Sequence, residues 1–123
     1  MTFANSDKEI TLIYNSEENI GKQIRAYAQI ENIPIHDIDL SHAKLTPTHW
    51  AELASKMGIN VRDLVNTEHP NFLQKFGQID ELSDQDWLDL LVHNPEILKA
   101  PVVMKGDKIV MMSNPQDMLH FVK

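Results

Sequence analysis

Six histidines, eighteen carboxylates, a serine just after a short apolar run and no cysteine set the chemistry this chain can attempt. His36, His42, His49, His69, His93 and His120 invite a metal site. None stands three or four residues from another, the spacing that puts two imidazoles on one helix face. His36, Asp37, Asp39 and His42 are close, but neighbours along a strand point to opposite faces. Asp80, Glu81, Asp84, Asp86 and Asp89 lack the glycine-containing calcium-loop pattern and read as carboxylates on a solvated face around a helix start. Ser16 has no glycines of a nucleophile elbow around it and reads as a helix cap. A thiol nucleophile and a thiolate metal ligand are excluded outright. With arginine present only as Arg25 and Arg62, a multi-arginine clamp for an oxyanion is hard to build.

The elements that would position these groups can be read from pattern. Residues 10–14 are a short, β-rich apolar run and read as a buried strand. Ser16 as cap, with Glu17 and Glu18 in the first turn, predicts a helix carrying Ile20, Ile24 and Tyr27 and ending before Pro34. The alternation from Ile33 to Leu40 predicts a second strand over 34–39. Thr46-Pro47 opens a helix with Trp50, Leu53, Ala54 and Met57 on its apolar face, closed by Gly58. Short helical stretches follow at 61–65 and after His69-Pro70, where Phe72, Leu73 and Phe76 recur. Ser83 and Asp86 form a capping signal for a helix bearing Trp87, Leu88 and Leu91. Asn94-Pro95 ends it or adds one turn. Strands over 102–105 and 108–112 form a hairpin whose Gly106-Asp107 pair suits a two-residue I′ or II′ turn. Asn114-Pro115 caps a last helix with Met118, Leu119 and Val122. The order β-α-β, helices, β-β-α calls for a parallel first pair, an antiparallel closing hairpin and one mixed four-stranded sheet. Both tryptophans, and most of Met104, Met111, Met112 and Met118, are assigned to the core.

A chain of 123 residues can bury a core without disulfides or metal, and residues 1–9 read as a flexible tail before a single domain over 10–123. The net charge of −7 repels phosphates and anionic lipid, so a nucleic-acid or membrane-surface binder is not expected. Met1 to Glu9 shows no apolar signal region, which makes the cytoplasm the expected compartment.

Four segments carry a family resemblance. Ile13-Tyr14-Asn15 resembles the end of a first strand before an active loop. Residues 57–64, Met-Gly-Ile-Asn-Val-Arg-Asp-Leu, are similar to an M-G-x-x-x-R-x-L stretch. Residues 94–103, from Asn94-Pro95 to Val102-Val103, resemble the signature N-P-x-L-I-x-R-P-I-V, and Lys105-Gly106-Asp107-Lys108 resembles the hairpin that follows it. On these the chain is identified as a member of the ArsC-type arsenate reductase family, which includes the Spx regulators. The resemblance implies a thioredoxin-like α/β fold, a mixed four-stranded sheet with a helical insert. It also implies a lost active site. The nucleophilic cysteine falls at Asn19, in a loop of Asn15, Ser16, Glu17, Glu18 and Asn19. The three oxyanion-binding arginines fall at Asn66, Ala100 and Asn114, with Arg62 the nearest substitute. Pro101 is expected to follow a cis peptide bond and to face that loop.

The expectation is therefore a degenerate member with no catalytic residues, no cofactor and no metal. It would serve as an interaction or regulatory module with a protein partner. A thiol-dependent reductase using an external thiol is the alternative, and a small-molecule binder beside Pro101 a third reading.

Overall fold

The computed structural model describes residues 10–77 and 82–122. The tail expected over 1–9, and Asp80 and Glu81 of the acidic cluster, lie outside them. The chain forms two compact units. One comprises the residues up to Ala43 with those from Ala100 onward, and the other is Lys44–Lys99.

The first unit holds the sheet. Its elements are β1 (Ile10–Tyr14), α1 (Asn19–Ile30), β2 (Ile35–Asp39), β3 (Val102–Lys105), β4 (Lys108–Met111) and, last in the chain, α5 (Asp117–Val122). The sheet order is β2-β1-β3-β4. β1 pairs with β2 in parallel, Ile10 opposite Ile35, and with β3 antiparallel, Ile13 opposite Val102. β3 and β4 close the hairpin. This is the mixed four-stranded sheet that the element order implied, and the thioredoxin-like arrangement that the resemblance implied. Pro34 stays outside β2, since it has no N–H to give a ladder. All five residues of β1 are buried, as expected for a strand flanked on both sides. Ile10, Leu12 and Tyr14 share one face, packed with Ile24, Ala28, Val103, Met112, Met118 and Phe121. Met104 is buried as well, while Met111 is half-buried. The hairpin turn has Gly106 at φ 61°, with Asp107 outside the positive region. That is the sign pattern of a II′ turn, in which only the first residue needs glycine's freedom.

The second unit is the helical insert. It contains α2 (Pro47–Met57), α3 (Pro70–Phe76) and α4 (Asp84–His93), with 3-10 turns at Val61–Leu64 and Pro95–Ile97. Its helix starts are local constructions. Thr46 Oγ1 accepts the His49 N–H at 3.2 Å, and His49 Nδ1 accepts the Thr46 N–H at 3.0 Å. Ser83 and Asp86 exchange the same two bonds, at 3.2 and 3.1 Å. Gly58, at φ 70°, ends α2 in the left-handed conformation. Trp50, Leu53, Leu64, Phe72, Trp87 and Leu91 are buried here. Phe72 lies nearly parallel to Trp87, with ring centroids 5.9 Å apart. No helix among the described residues is long and apolar enough to cross a membrane.

Three sequence expectations fail. Asn114-Pro115 does not cap the last helix, because α5 starts only at Asp117 after a turn. Ser16 is not a helix cap, because α1 starts at Asn19 with Glu18 at the cap position, making no side-chain capping bond. Glu17 and Glu18 therefore precede the first turn, which contains no acidic residue. The reason is a turn at Asn15 that uses two further residues. The Ala100–Pro101 peptide is trans, since no cis bond occurs among the described residues. Trans is favoured before proline by about 0.5–1 kcal/mol. The Pro101 carbonyl accepts the Met112 N–H at 2.8 Å, extending the hairpin by one bond.

Candidate functional site

The loop between β1 and α1 is the place where the resemblance puts chemistry. The amides of residues 16–18 are spoken for within the chain. Glu17 N–H donates to the Asn15 side-chain oxygen at 2.9 Å, and Glu18 N–H to the Asn15 carbonyl at 2.9 Å. Ser16 N–H donates to Asp39 Oδ1 at 3.0 Å, across 23 residues of sequence. The same carboxylate oxygen accepts the Ser41 N–H at 3.0 Å and the Ser41 hydroxyl at 2.8 Å. Ser16 and Ser41 hydroxyls meet at 2.9 Å. Asp39 is thus an internal anion that draws the loop onto the end of β2. Burial alone would raise its carboxyl, but the bonds from Ser16 and Ser41 together outweigh it and hold the group well below the usual carboxylate range.

Beside this lock, Tyr14 Oη donates to Asp37 Oδ2 at 3.3 Å, and Arg25 Nε donates to the same oxygen at 3.0 Å. Burial first, and then the charges of Asp37 and Asp39, push the Tyr14 phenol up. Arg25 is thereby directed to β2 and not to the loop. Gly21 lets α1 sit close to β1. A Cβ on it would lie 2.8 Å from Tyr14 Cδ2 and 2.9 Å from Tyr14 Cβ.

Asn19, where the nucleophile is expected, is exposed at the start of α1. A helix start leaves backbone donors free, but a carboxamide beside them is neither nucleophile nor acid. The positions expected for arginine behave like Asn15. Asn66 accepts the Glu68 N–H on its side chain at 3.0 Å and the His69 N–H on its carbonyl at 3.1 Å. Asn114 does the same for Gln116 and Asp117, both at 3.0 Å. All three asparagines build the same local turn, which Asn favours because its side chain folds onto its own backbone. Ala100 brings a methyl group. Arg62, the nearest substitute, has its guanidinium 5.9 Å from the Trp87 ring centroid. It is stacked on an aromatic face in the helical unit.

The sheet register gathers part of this set. Ile13 opposite Val102 runs the chain before β3, with Ala100 and Pro101, toward the end of β1 where the loop begins. Val102 opposite Met111 puts the exit of β4, and the Asn114 turn after it, at the same end. Asn66 belongs to the helical unit. No group of three or more histidines and carboxylates among the described residues is placed to hold a metal; His42 Nε2 is 3.8 Å from Asp39 Oδ2. Sequence reading weighed Asp37 and Asp39 only as metal candidates, and missed Ser41 and Gly21. The Asp39-Leu40-Ser41 spacing hints at a local turn, but nothing in it points to Ser16.

The family model described as the ArsC family matches residues 8–121. Among solved structures, an arsenate reductase from Vibrio cholerae superimposes with a TM-score of 0.79 at 15% identity, covering 92% of this chain and 97% of that one. A Staphylococcus aureus protein gives 0.65 at 20% identity, covering 89% and 96%. An arsenate reductase (ArsC) related protein from Brucella melitensis gives 0.63 at 15% identity, covering 94% and 95%. No curated protein matches by sequence. These likenesses establish the fold, and every one leaves the residues of the loop to be judged from this chain itself.

Proposed function

The chain belongs to the ArsC family, and we propose that it is a catalytically degenerate member, working as a non-enzymatic interaction or regulatory module. One observation carries the reading. In a chain without cysteine, the loop that would present the nucleophile offers Asn19, and its amides are bonded to Asn15 and Asp39. Thiol chemistry needs a thiolate that attacks and leaves, and a carboxamide does neither. An incoming oxyanion would meet the Asp39 carboxylate on the Ser16 amide, and Asn66, Ala100 and Asn114 supply no guanidinium.

The competing reading is an oxidoreductase of the arsenate reductase and glutaredoxin class, with an external thiol replacing the missing one. Arsenate reduction with glutathione and glutaredoxin separates the two. The expected result is no turnover above a heat-killed control, and none in Asn19→Cys, which restores a thiol without the guanidinium groups. Turnover in the native chain that is lost in Asn19→Ala makes the enzyme reading correct.

A further inference from the structure

The sheet has two edges of opposite character. At one, β2 reads Ile35-His36-Asp37-Ile38-Asp39, and ionisable side chains along an edge discourage pairing with another chain. At the other, β4 reads Lys108-Ile109-Val110-Met111, with one charge at its start and three apolar residues after it. β4 ends the sheet order, so among the described residues no strand pairs with its outer side. Ladder bonds alternate along an antiparallel strand. The Met112 N–H donates inward to Pro101 at 2.8 Å, so Val110 and Lys108 also face β3. The main-chain N–H and C=O groups of Ile109 and Met111 then point outward, spaced as an added strand requires. Val110 is 37% exposed and, unlike the more exposed Ile30 at the end of α1, lies on a strand edge. It lines a 360 Å³ groove along β4 and α5 whose walls include Lys108, Met112, Asp117, His120 and Phe121.

Charge narrows the occupant. Lys105 and Lys108 stand directly opposite each other in a chain of net charge −7. Like charges in that position are unfavourable, and an added carboxylate relieves them. Lys108 is held at the groove, donating to the Phe121 carbonyl at 3.0 Å with its ammonium 5.0 Å above the Phe121 ring centroid. A second copy fits less well. Pairing β4 with itself through Ile109 and Met111 brings no carboxylate of that strand to Lys108. A four-residue ladder is also small against the roughly 1,000 Å² of a stable interface. We infer that the β4 edge and its groove receive an extended peptide segment, apolar beside Val110 and acidic beside Lys105 and Lys108, which adds a fifth strand. This names the partner class of the interaction module proposed above and rests on that reading.

The test is an amide NMR titration with a capped hexapeptide that alternates valine and threonine and begins with glutamate. The expected result is perturbation and slowed exchange at the Ile109 and Met111 amides, larger than at Lys108 and Val110, whose groups already face β3. A peptide with lysine in place of the glutamate should bind at least fivefold more weakly. Ile109→Pro removes an outward donor that β3 does not use, and should abolish binding. Val110→Ser adds no charge, leaves the backbone groups in place and should weaken binding at least fivefold, which guards against misfolding of the proline variant. No shift at millimolar peptide, shifts confined to other surfaces, equal binding of the two peptides, or a dimer joined through β4 each overturn the proposal. None of these outcomes changes the arsenate assay, so loss of the edge proposal leaves the degenerate-member reading to stand or fall separately.

Discussion

The helical insert caps its helix starts with near neighbours, whereas the sheet unit adds a long-range lock to the local turn at Asn15. In the helical insert the partners are three residues apart: Thr46 with His49, Asn60 with Asp63, Ser83 with Asp86. In the sheet unit the loop after β1 is held by Asp39, on a strand 23 residues later. Removing one local partner loosens one helix end. Removing Asp39 releases the loop and the end of β2 together. Local turns occur in both units, and the loop expected to be reactive carries a long-range lock besides its own.

The largest effect sharpens that contrast. Asp39→Ala deletes the acceptor of three bonds to one charged oxygen, and should cost about 3 kcal/mol in denaturant unfolding. Hydrogen exchange should quicken in the loop and β2 while α2 and α4 amides stay protected. Equal loosening of both units would break the comparison. The pH dependence has a definite sign. The Asp39 carboxyl is depressed in the folded chain, so its contribution is complete above the unfolded value of about 3.9 and is lost as pH falls through the folded value below it. The stability gap between native chain and Asp39→Ala should therefore be constant from neutral pH down to about 4, and shrink at lower pH.

Gly21→Ala comes next. Alanine gains about 1 kcal/mol of helix propensity, but its Cβ meets Tyr14 Cβ at 2.9 Å and the Asn15 carbonyl at 3.3 Å. Overpacking should win, for a net loss of about 2 kcal/mol in the same unfolding measurement. A stabilised variant would mean that α1 is free to move off β1. Ser83→Ala should cost about 1 kcal/mol, read as faster exchange confined to the first turn of α4. Asn15→Ala is the smallest, about 0.5 kcal/mol, because its side-chain bond is solvent-exposed. A thermal melt that shows Asn15→Ala worse than Asp39→Ala would reverse the assignment of the lock.

Much of the fold was legible. Caps at Thr46 and Ser83, Gly58 after a helix, Gly106 in the hairpin and the apolar run of β1 each depend on residues a few positions apart, and each appears where its pattern puts it. The start of α1 was misread because Ser16 and Asn15 compete for the same turn. Their types allow either to fold the backbone back, and the Asn15 turn together with the distant Asp39 decided it. Proline at 101 carried no local instruction for its isomer, which is selected by the contacts around it.

Sequence alone settled that this chain cannot do thiol chemistry with its own residues, since no arrangement in space supplies a missing cysteine. It also settled the order of elements, because periodicity and caps are properties of short windows. Tertiary structure decided that the Ser16 amide is taken by Asp39, that Arg25 serves Asp37, and that β4 is the open apolar edge. Those are meetings of groups brought together by strand register, and register is set by the burial of whole faces, not by any residue's neighbours in the chain.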